Sequence, residues 1–125
     1  MKTILAKDLN ALLTHDDHGR VLLVDVRELD EVAEAPLLPP GTHYYVNLPL
    51  SVLQMLPEAD VRPRFEELTR RAGLRLGQAR IVLSCRSGGR SSRAQMICSG
   101  VGIETENLEG GYLAWQKAKE NEAAR

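Results

Sequence analysis

The stretch Arg20-Val21-Leu22-Leu23-Val24-Asp25-Val26 is almost continuously apolar and rich in valine. A strand with one face in water alternates apolar and polar side chains. A run without that alternation suits a strand buried on both faces, as in a parallel sheet covered by helices. Arg80-Ile81-Val82-Leu83-Ser84 repeats the pattern. Parallel neighbours need long crossovers, usually helical, and the segments between these runs have helical periodicity.

Ala6 to Leu13 fits a helix with Leu5, Leu9, Leu12 and Leu13 on one face. Glu28 to Glu34 reads as a short helix, with Glu28, Glu31 and Glu34 on a solvated face. Leu50 to Leu56 suits a helical turn or two. Arg62 to Ala72 places Phe65, Leu68 and Ala72 at helical spacing, and Gly73 is positioned to cap it. Gly89 to Gly100 turns Ala94, Ile97 and Cys98 inward. Gly110-Gly111 opens a last helix through Tyr112, Leu113, Trp115 and Ala118, in which Tyr112 and Trp115 are packing residues. A polar tail from about Lys119 is expected to fray.

Shorter strands are expected at Thr3 to Leu5, Thr42 to Leu48 and Glu104 to Leu108. Asp16-Asp17-His18-Gly19 reads as a turn, and Pro36, Pro39, Pro40 and Gly41 exclude regular structure. The expectation is an α/β fold over residues 1–125 as a single domain. Its mostly parallel central sheet has about five strands, flanked by helices on both faces. Ligands of such sheets sit off the carboxyl ends of the strands.

Sixteen Lys and Arg against seventeen Asp and Glu leave a net charge of -1, with no general pull toward nucleic acid or an anionic membrane. One Trp and one Phe are too few for a base-stacking surface. No apolar run approaches membrane-spanning length. Met1-Lys2-Thr3-Ile4-Leu5-Ala6 reaches Lys7-Asp8 before a secretory core forms. Two cysteines, Cys85 and Cys98, make no disulfide framework. A reducing compartment, the cytoplasm, is expected.

The chemistry concentrates in Cys85-Arg86-Ser87-Gly88-Gly89-Arg90-Ser91-Ser92-Arg93, which holds three arginines, two glycines and no acid. Cys85 ends the most central-looking strand and a helix follows the loop. A thiol attacks only as thiolate, and its ordinary pKa is about 8.5. A tight glycine loop can turn backbone N–H groups inward, and a helix N-terminus adds partial positive charge. Arginine guanidinium groups grip oxyanions through two donors, and Ser87, Ser91 and Ser92 offer hydroxyls. A thiolate beside such a cage can attack phosphorus, or the outer sulfur of an anion such as thiosulfate.

This loop resembles the active-site loop of the rhodanese family, whose pattern of Cys, two residues, Gly, one residue and Arg is met at Cys85, Gly88 and Arg90. Val24-Asp25-Val26-Arg27-Glu28 resembles the family's early strand-end motif. Asn107-Leu108-Glu109-Gly110-Gly111-Tyr112-Leu113-Ala114-Trp115 resembles its C-terminal signature. Between them the family's Gly-His-Ile-Pro-Gly-Ala is replaced by a longer stretch, which keeps Pro40-Gly41 and Asn47-Leu48-Pro49.

The resemblance implies that Cys85 is a nucleophile carrying sulfane sulfur and that backbone amides of Arg86, Ser87, Gly88, Gly89, Arg90 and Ser91 cradle it. It implies that Arg86 and Arg90 hold the anionic donor, Arg90 partly structurally. Asp25 and Arg27 should lie near the loop, as an ion pair that stabilises the fold or as catalytic support. The implied activity is sulfur transfer from a small anionic donor such as thiosulfate to a thiol or protein-thiol acceptor. It needs no metal and no organic cofactor. The alternatives are a non-catalytic binding or regulatory module of the same fold, a carrier module that delivers persulfide sulfur to a partner, and a cysteine phosphatase or arsenate reductase. Cysteine phosphatases place five residues between Cys and Arg; here Arg86 to Gly89 are four. Cys98, on an apolar face with Ala94 and Ile97, reads as core rather than as a resolving thiol. His15, His18 and His43 are spaced like no metal site and read as surface or structural residues.

Overall fold

A computed structural model describes residues 2–14 and 20–123. The elements, in chain order, are β1 (Lys2–Ile4), α1 (Ala6–Thr14), β2 (Val21–Asp25), α2 (Leu29–Glu34), β3 (Tyr45–Asn47), α3 (Leu50–Met55), α4 (Glu58–Arg71), β4 (Arg80–Ser84), α5 (Gly89–Gly100), β5 (Glu106–Leu108) and α6 (Gly111–Ala123). The five strands form one sheet, entirely parallel, in the order β1-β5-β4-β2-β3.

All five residues of β2 are buried, as its unbroken apolar run requires. Side chains on a strand alternate between faces. Leu22 and Val24 therefore join Ile81 and Leu83 in a core with Leu53, Phe65 and Ala94, beneath α3, α4 and α5. Val21 and Leu23 join Val82 in a second core with Leu9, Leu108 and Trp115, beneath α1 and α6. The chain leaves β2 toward β3 on one side and returns to β4 on the other. The carboxyl ends of β2 and β4 therefore meet at the point where the winding reverses, the ligand-binding crevice of open α/β sheets.

Several boundaries differ from those expected. β3 is confined to Tyr45–Asn47, because Thr42 to Tyr45 form a turn in which the Tyr45 N–H donates to the Thr42 carbonyl over 3.0 Å. α4 begins at Glu58, before Arg62, and runs through Pro63. That proline cannot donate to the Ala59 carbonyl, but Glu58 and Asp60 in the first turn and Arg70 and Arg71 in the last suit the helix dipole. Gly73 caps it as expected, with φ +76°: its N–H meets the Arg70 carbonyl, and the Leu74 N–H meets that of Thr69.

Leu5 precedes α1 and is exposed, rather than sharing the buried face with Leu9. The residues from Lys119 on do not form a tail distinct from the helix, since α6 continues to Ala123. Lys119 lies over the Trp115 ring, and the Asn10 side chain of α1 bonds to both Glu122 and Lys119. The expected turn at 16–19, with His15 and His18, lies outside the described residues. Among the described residues, no helix is long and apolar enough to cross a membrane.

Candidate active site

Cys85 follows β4 at the crevice and is 1 % exposed. Its Sγ accepts the Gly88 N–H at 3.0 Å and lies 3.4 Å from the Ser91 hydroxyl oxygen. Gly88, at φ +108°, precedes the first residue of α5. That left-handed conformation favours glycine, and it turns the loop back over the sulfur. Burial pushes the Cys85 thiol up, but the Ser91 hydroxyl and the backbone N–H groups of Ser91, Gly88 and Ser87 outweigh it, so the thiol sits below its ordinary value.

A second helix end holds the loop from behind. In the first turn of α6, the Tyr112 N–H donates to the Cys85 carbonyl at 2.8 Å, and the Leu113 N–H donates to that of Arg86 at 3.1 Å. Two otherwise unpaired helix donors are satisfied in this way. Asn107, the middle residue of β5, adds a clamp. Its Nδ2 donates to the Gly88 carbonyl at 3.2 Å, and its Oδ1 lies 2.5 Å from the Ser91 hydroxyl.

The three arginines of the loop separate. Arg86 is exposed, and Arg93 is exposed one turn into α5. Arg90 finds an acid from elsewhere in the chain: its two Nη atoms form a fork on the Glu31 carboxylate of α2, at 2.6 and 2.9 Å. Glu31 is thus part of the site's frame and not merely a solvated face. The hydrogen bonds from Arg90 hold its carboxyl down to about 2. The Cys85 sulfur in turn favours the charged form of Arg90, after Glu31 itself. Ser87 and Gly89 are exposed on the loop.

Asp25 and Arg27 form a buried ion pair at the end of β2. Arg27 Nε reaches Asp25 Oδ1 at 3.0 Å, and Nη2 reaches Oδ2 at 2.8 Å. The same Nη2 donates to the Ala35 carbonyl at 2.8 Å, and the guanidinium lies 4.8 Å from the centre of the Tyr112 ring. The Tyr45 hydroxyl donates to Asp25 at 2.6 Å and accepts the Leu37 N–H at 3.0 Å. Asn47 Nδ2 donates to the carbonyls of Asp25 and Arg27. This network pins the proline-rich segment beside the crevice, with Leu37 buried in the second core. The pair meets the Cys85 loop through Tyr112, whose ring lies under Arg27 and whose N–H holds the Cys85 carbonyl.

Cys98 is buried in the first core, and burial pushes its thiol up to about 12. His43 is exposed, edge-on to Tyr44.

Sequence reasoning singled out the loop but not its supports Asn107, Glu31, Tyr45 and Asn47, nor the need for glycine at Gly111. Asn107 and Gly111 belong to the C-terminal stretch Asn107 to Trp115. Glu31 and Tyr45 carried no local signal, because their partners are far along the chain.

The rhodanese-like domain model matches residues 5–118. YtwF of Bacillus subtilis (strain 168), which carries a sulfurtransferase assignment, is 31% identical over 94 residues, 75% of this chain and 72% of that protein. Solved structures that share the fold include two of similar size. RPA3614 of Rhodopseudomonas palustris, described as a protein of unknown function and possible tyrosine phosphatase, superposes with a TM-score of 0.70 at 24% identity, covering 95% of this chain and 82% of that one. The human single-domain sulfurtransferase TSTD1 superposes at 0.64 and 24% identity, covering 94% and 96%. The chain belongs to the rhodanese-like domain family.

Proposed function

We propose that this chain is a single-domain sulfurtransferase that moves sulfane sulfur through a persulfide on Cys85. Sulfur transfer is the activity that the family and its assigned relative support. The observation that carries the mechanism is the loop geometry. A thiol held below its ordinary value faces the Gly88 N–H, and four residues separate Cys85 from Arg90. That loop is one residue shorter than the phosphatase pattern. It suits one extra sulfur atom on the cysteine better than a tetrahedral phosphate or arsenate beside it.

In the first step the Cys85 thiolate attacks the outer sulfur of a donor such as thiosulfate. A new S–S bond forms, the donor's S–S bond breaks, and the electron pair departs with sulfite. The persulfide's charge rests on the outer sulfur, within the cage of N–H groups. In the second step a thiolate or cyanide attacks that outer sulfur, and the Cys85 thiolate leaves. No net redox change occurs beyond the exchange, and ping-pong kinetics follow. Arg86, exposed within the loop, meets the donor, whereas Arg90 is engaged by Glu31.

Intact mass after incubation with thiosulfate tests this reading. One added sulfur on wild type, none on Cys85→Ser and its removal by cyanide are expected. Hydrolysis of a phosphate ester, with no sulfur added, would replace this reading with the phosphatase alternative.

A further inference from the structure

The Ser91 hydroxyl carries one proton and faces three acceptors: Asn107 Oδ1 at 2.5 Å, the Gly88 carbonyl at 3.1 Å and Cys85 Sγ at 3.4 Å. The orientation of the Asn107 amide decides among them. A carbonyl oxygen only accepts, so the group of Asn107 next to the Gly88 carbonyl must be its NH₂. Oδ1 then points at Ser91. Two oxygens at 2.5 Å need a proton between them, and only Ser91 can supply it. While the sulfur is neutral, Ser91 donates to Asn107, and Sγ keeps the Gly88 N–H as its short donor.

We propose that Asn107 is a positioning residue for the nucleophile: its Oδ1 holds the Ser91 proton away from Cys85 while the sulfur is neutral and yields it when the sulfur carries charge. The exchange is a rotation of the O–H about the Ser91 Cβ–Oγ bond. No covalent bond breaks. One neutral hydrogen bond is lost and one to an anion is gained, and bonds to charged partners are the stronger. Asn107 thereby sets how much thiolate the resting enzyme holds, and the rotor returns when the charge moves out to the persulfide's terminal sulfur. Ser91 and Asn107 are buried and half-buried, respectively, so bulk water does not replace either partner freely.

Other charged and titratable groups near the loop are Arg86 within it, Arg90 and Arg93 on α5 with Glu31 of α2 and Glu28 beside Arg90, and the Asp25–Arg27 pair of β2 with Tyr45 and Tyr112. Cys98 lies along α5. The variants below leave all of them in place.

The inference rests on Cys85 being the nucleophile. Its test reads thiolate directly and uses neither donor nor acceptor, so a failed transfer assay and a failed prediction here are separate results. The Cys85 thiolate is titrated by its ultraviolet absorbance, with the matching Cys85→Ser protein as blank, in wild type, Asn107→Leu, Ser91→Ala and the double variant. In Asn107→Leu the shortest acceptor is gone, and Ser91 has only the longer bond to the Gly88 carbonyl to give up when the sulfur carries charge. Below the thiol's pKa the thiolate fraction then rises about threefold to tenfold, the equivalent of one ordinary hydrogen bond. In the Ser91→Ala background the same substitution has no such effect. An unchanged or reduced thiolate fraction in Asn107→Leu, or an equal rise in both backgrounds, overturns the proposal. If Asn107→Leu does not fold, Asn107→Asp decides. Its carboxylate holds the Ser91 proton harder, so the thiol rises, and part of that rise must vanish in Ser91→Ala. An equal rise in both backgrounds overturns the proposal.

Discussion

The backbone N–H of Tyr112 is bonded to the carbonyl of Cys85, so α6 begins directly on the peptide of the loop cysteine. That approach is open only because residue 111 has no side chain. Gly111 stands at φ +56°, and a Cβ there would collide with the Cys85 carbonyl oxygen and lie 2.8 Å from the Arg86 carbonyl carbon. Both obstacles are backbone and have no room to give way. Gly111→Ala is therefore expected to lose roughly 2–4 kcal/mol in urea unfolding, from left-handed strain together with overpacking. It should also lose sulfur loading wherever it still folds. A loss under about 0.5 kcal/mol, the level of an ordinary surface change, would show that α6 is not seated this way.

The two cysteines should separate chemically. The Cys85 thiol lies below its ordinary value and that of Cys98 lies at about 12. At pH 8 Cys98 is ionised to roughly one part in ten thousand. Iodoacetamide should label Cys85 alone in the native protein and both thiols after unfolding, as read by peptide mass. Native labelling of Cys98 at a comparable rate would contradict its place in the core.

Arg86 and Arg90 are expected to fail in different ways. Arg86 is exposed at the loop, so Arg86→Ala should leave the fold intact and raise the donor KM about tenfold to a hundredfold, the worth of one bond to a charged group. Arg90 is forked onto Glu31, so Arg90→Ala should show its loss first in stability. An Arg86→Ala enzyme with wild-type KM for thiosulfate would remove Arg86 from the donor site.

The Glu31–Arg90 pair also has a pH signature. The Glu31 carboxyl is held near 2 in the folded protein against an ordinary 4.5. The folded state thus binds its proton more weakly than the unfolded state does. The pair stabilises above the ordinary value, and the benefit disappears as pH falls from 4.5 toward 2. Both side chains are about a third exposed, so screening limits the effect to about 0.5–1 kcal/mol. Wild type should exceed Glu31→Gln by that amount at pH 7, and the two should converge in acid. A constant gap down to the lowest pH at which both fold would assign it to packing instead of charge.

Asp25 is expected to be the most sensitive polar position outside the loop. It is wholly buried and receives Arg27 and Tyr45 together. Asp25→Ala leaves Arg27 buried without its partner, which costs about 3–5 kcal/mol. Tyr45→Phe removes one bond to Asp25 and one from Leu37 and should cost about 1–3 kcal/mol. Thermal melts rank the two. Equal small losses would mean that the pair is not the frame of the crevice.

The strands and helices were legible because their signals are local. Apolar runs without alternation marked β2 and β4 as doubly buried, and β4 and α5 run between the expected residues. The cysteine loop was legible for the same reason, since Cys85, Gly88 and Arg90 sit within one turn of chain. The length of α6 was not, because its polar end is held by Asn10 at the opposite end of the chain. Nor was the division of labour among the loop arginines. Composition showed three cations without an acid. The acid comes from Glu31, 59 residues before Arg90, and only the packing of α2 beside α5 brings it there.

By itself, then, the sequence determined the parallel α/β layers and the chemical identity of the loop, both of which depend on residues a few positions apart. The tertiary structure alone decided which loop arginine is engaged by an acid, which amide meets Ser91 and why residue 111 must be glycine. Those outcomes depend on distances between backbones brought together by the sheet order, and no short stretch of chain encodes them.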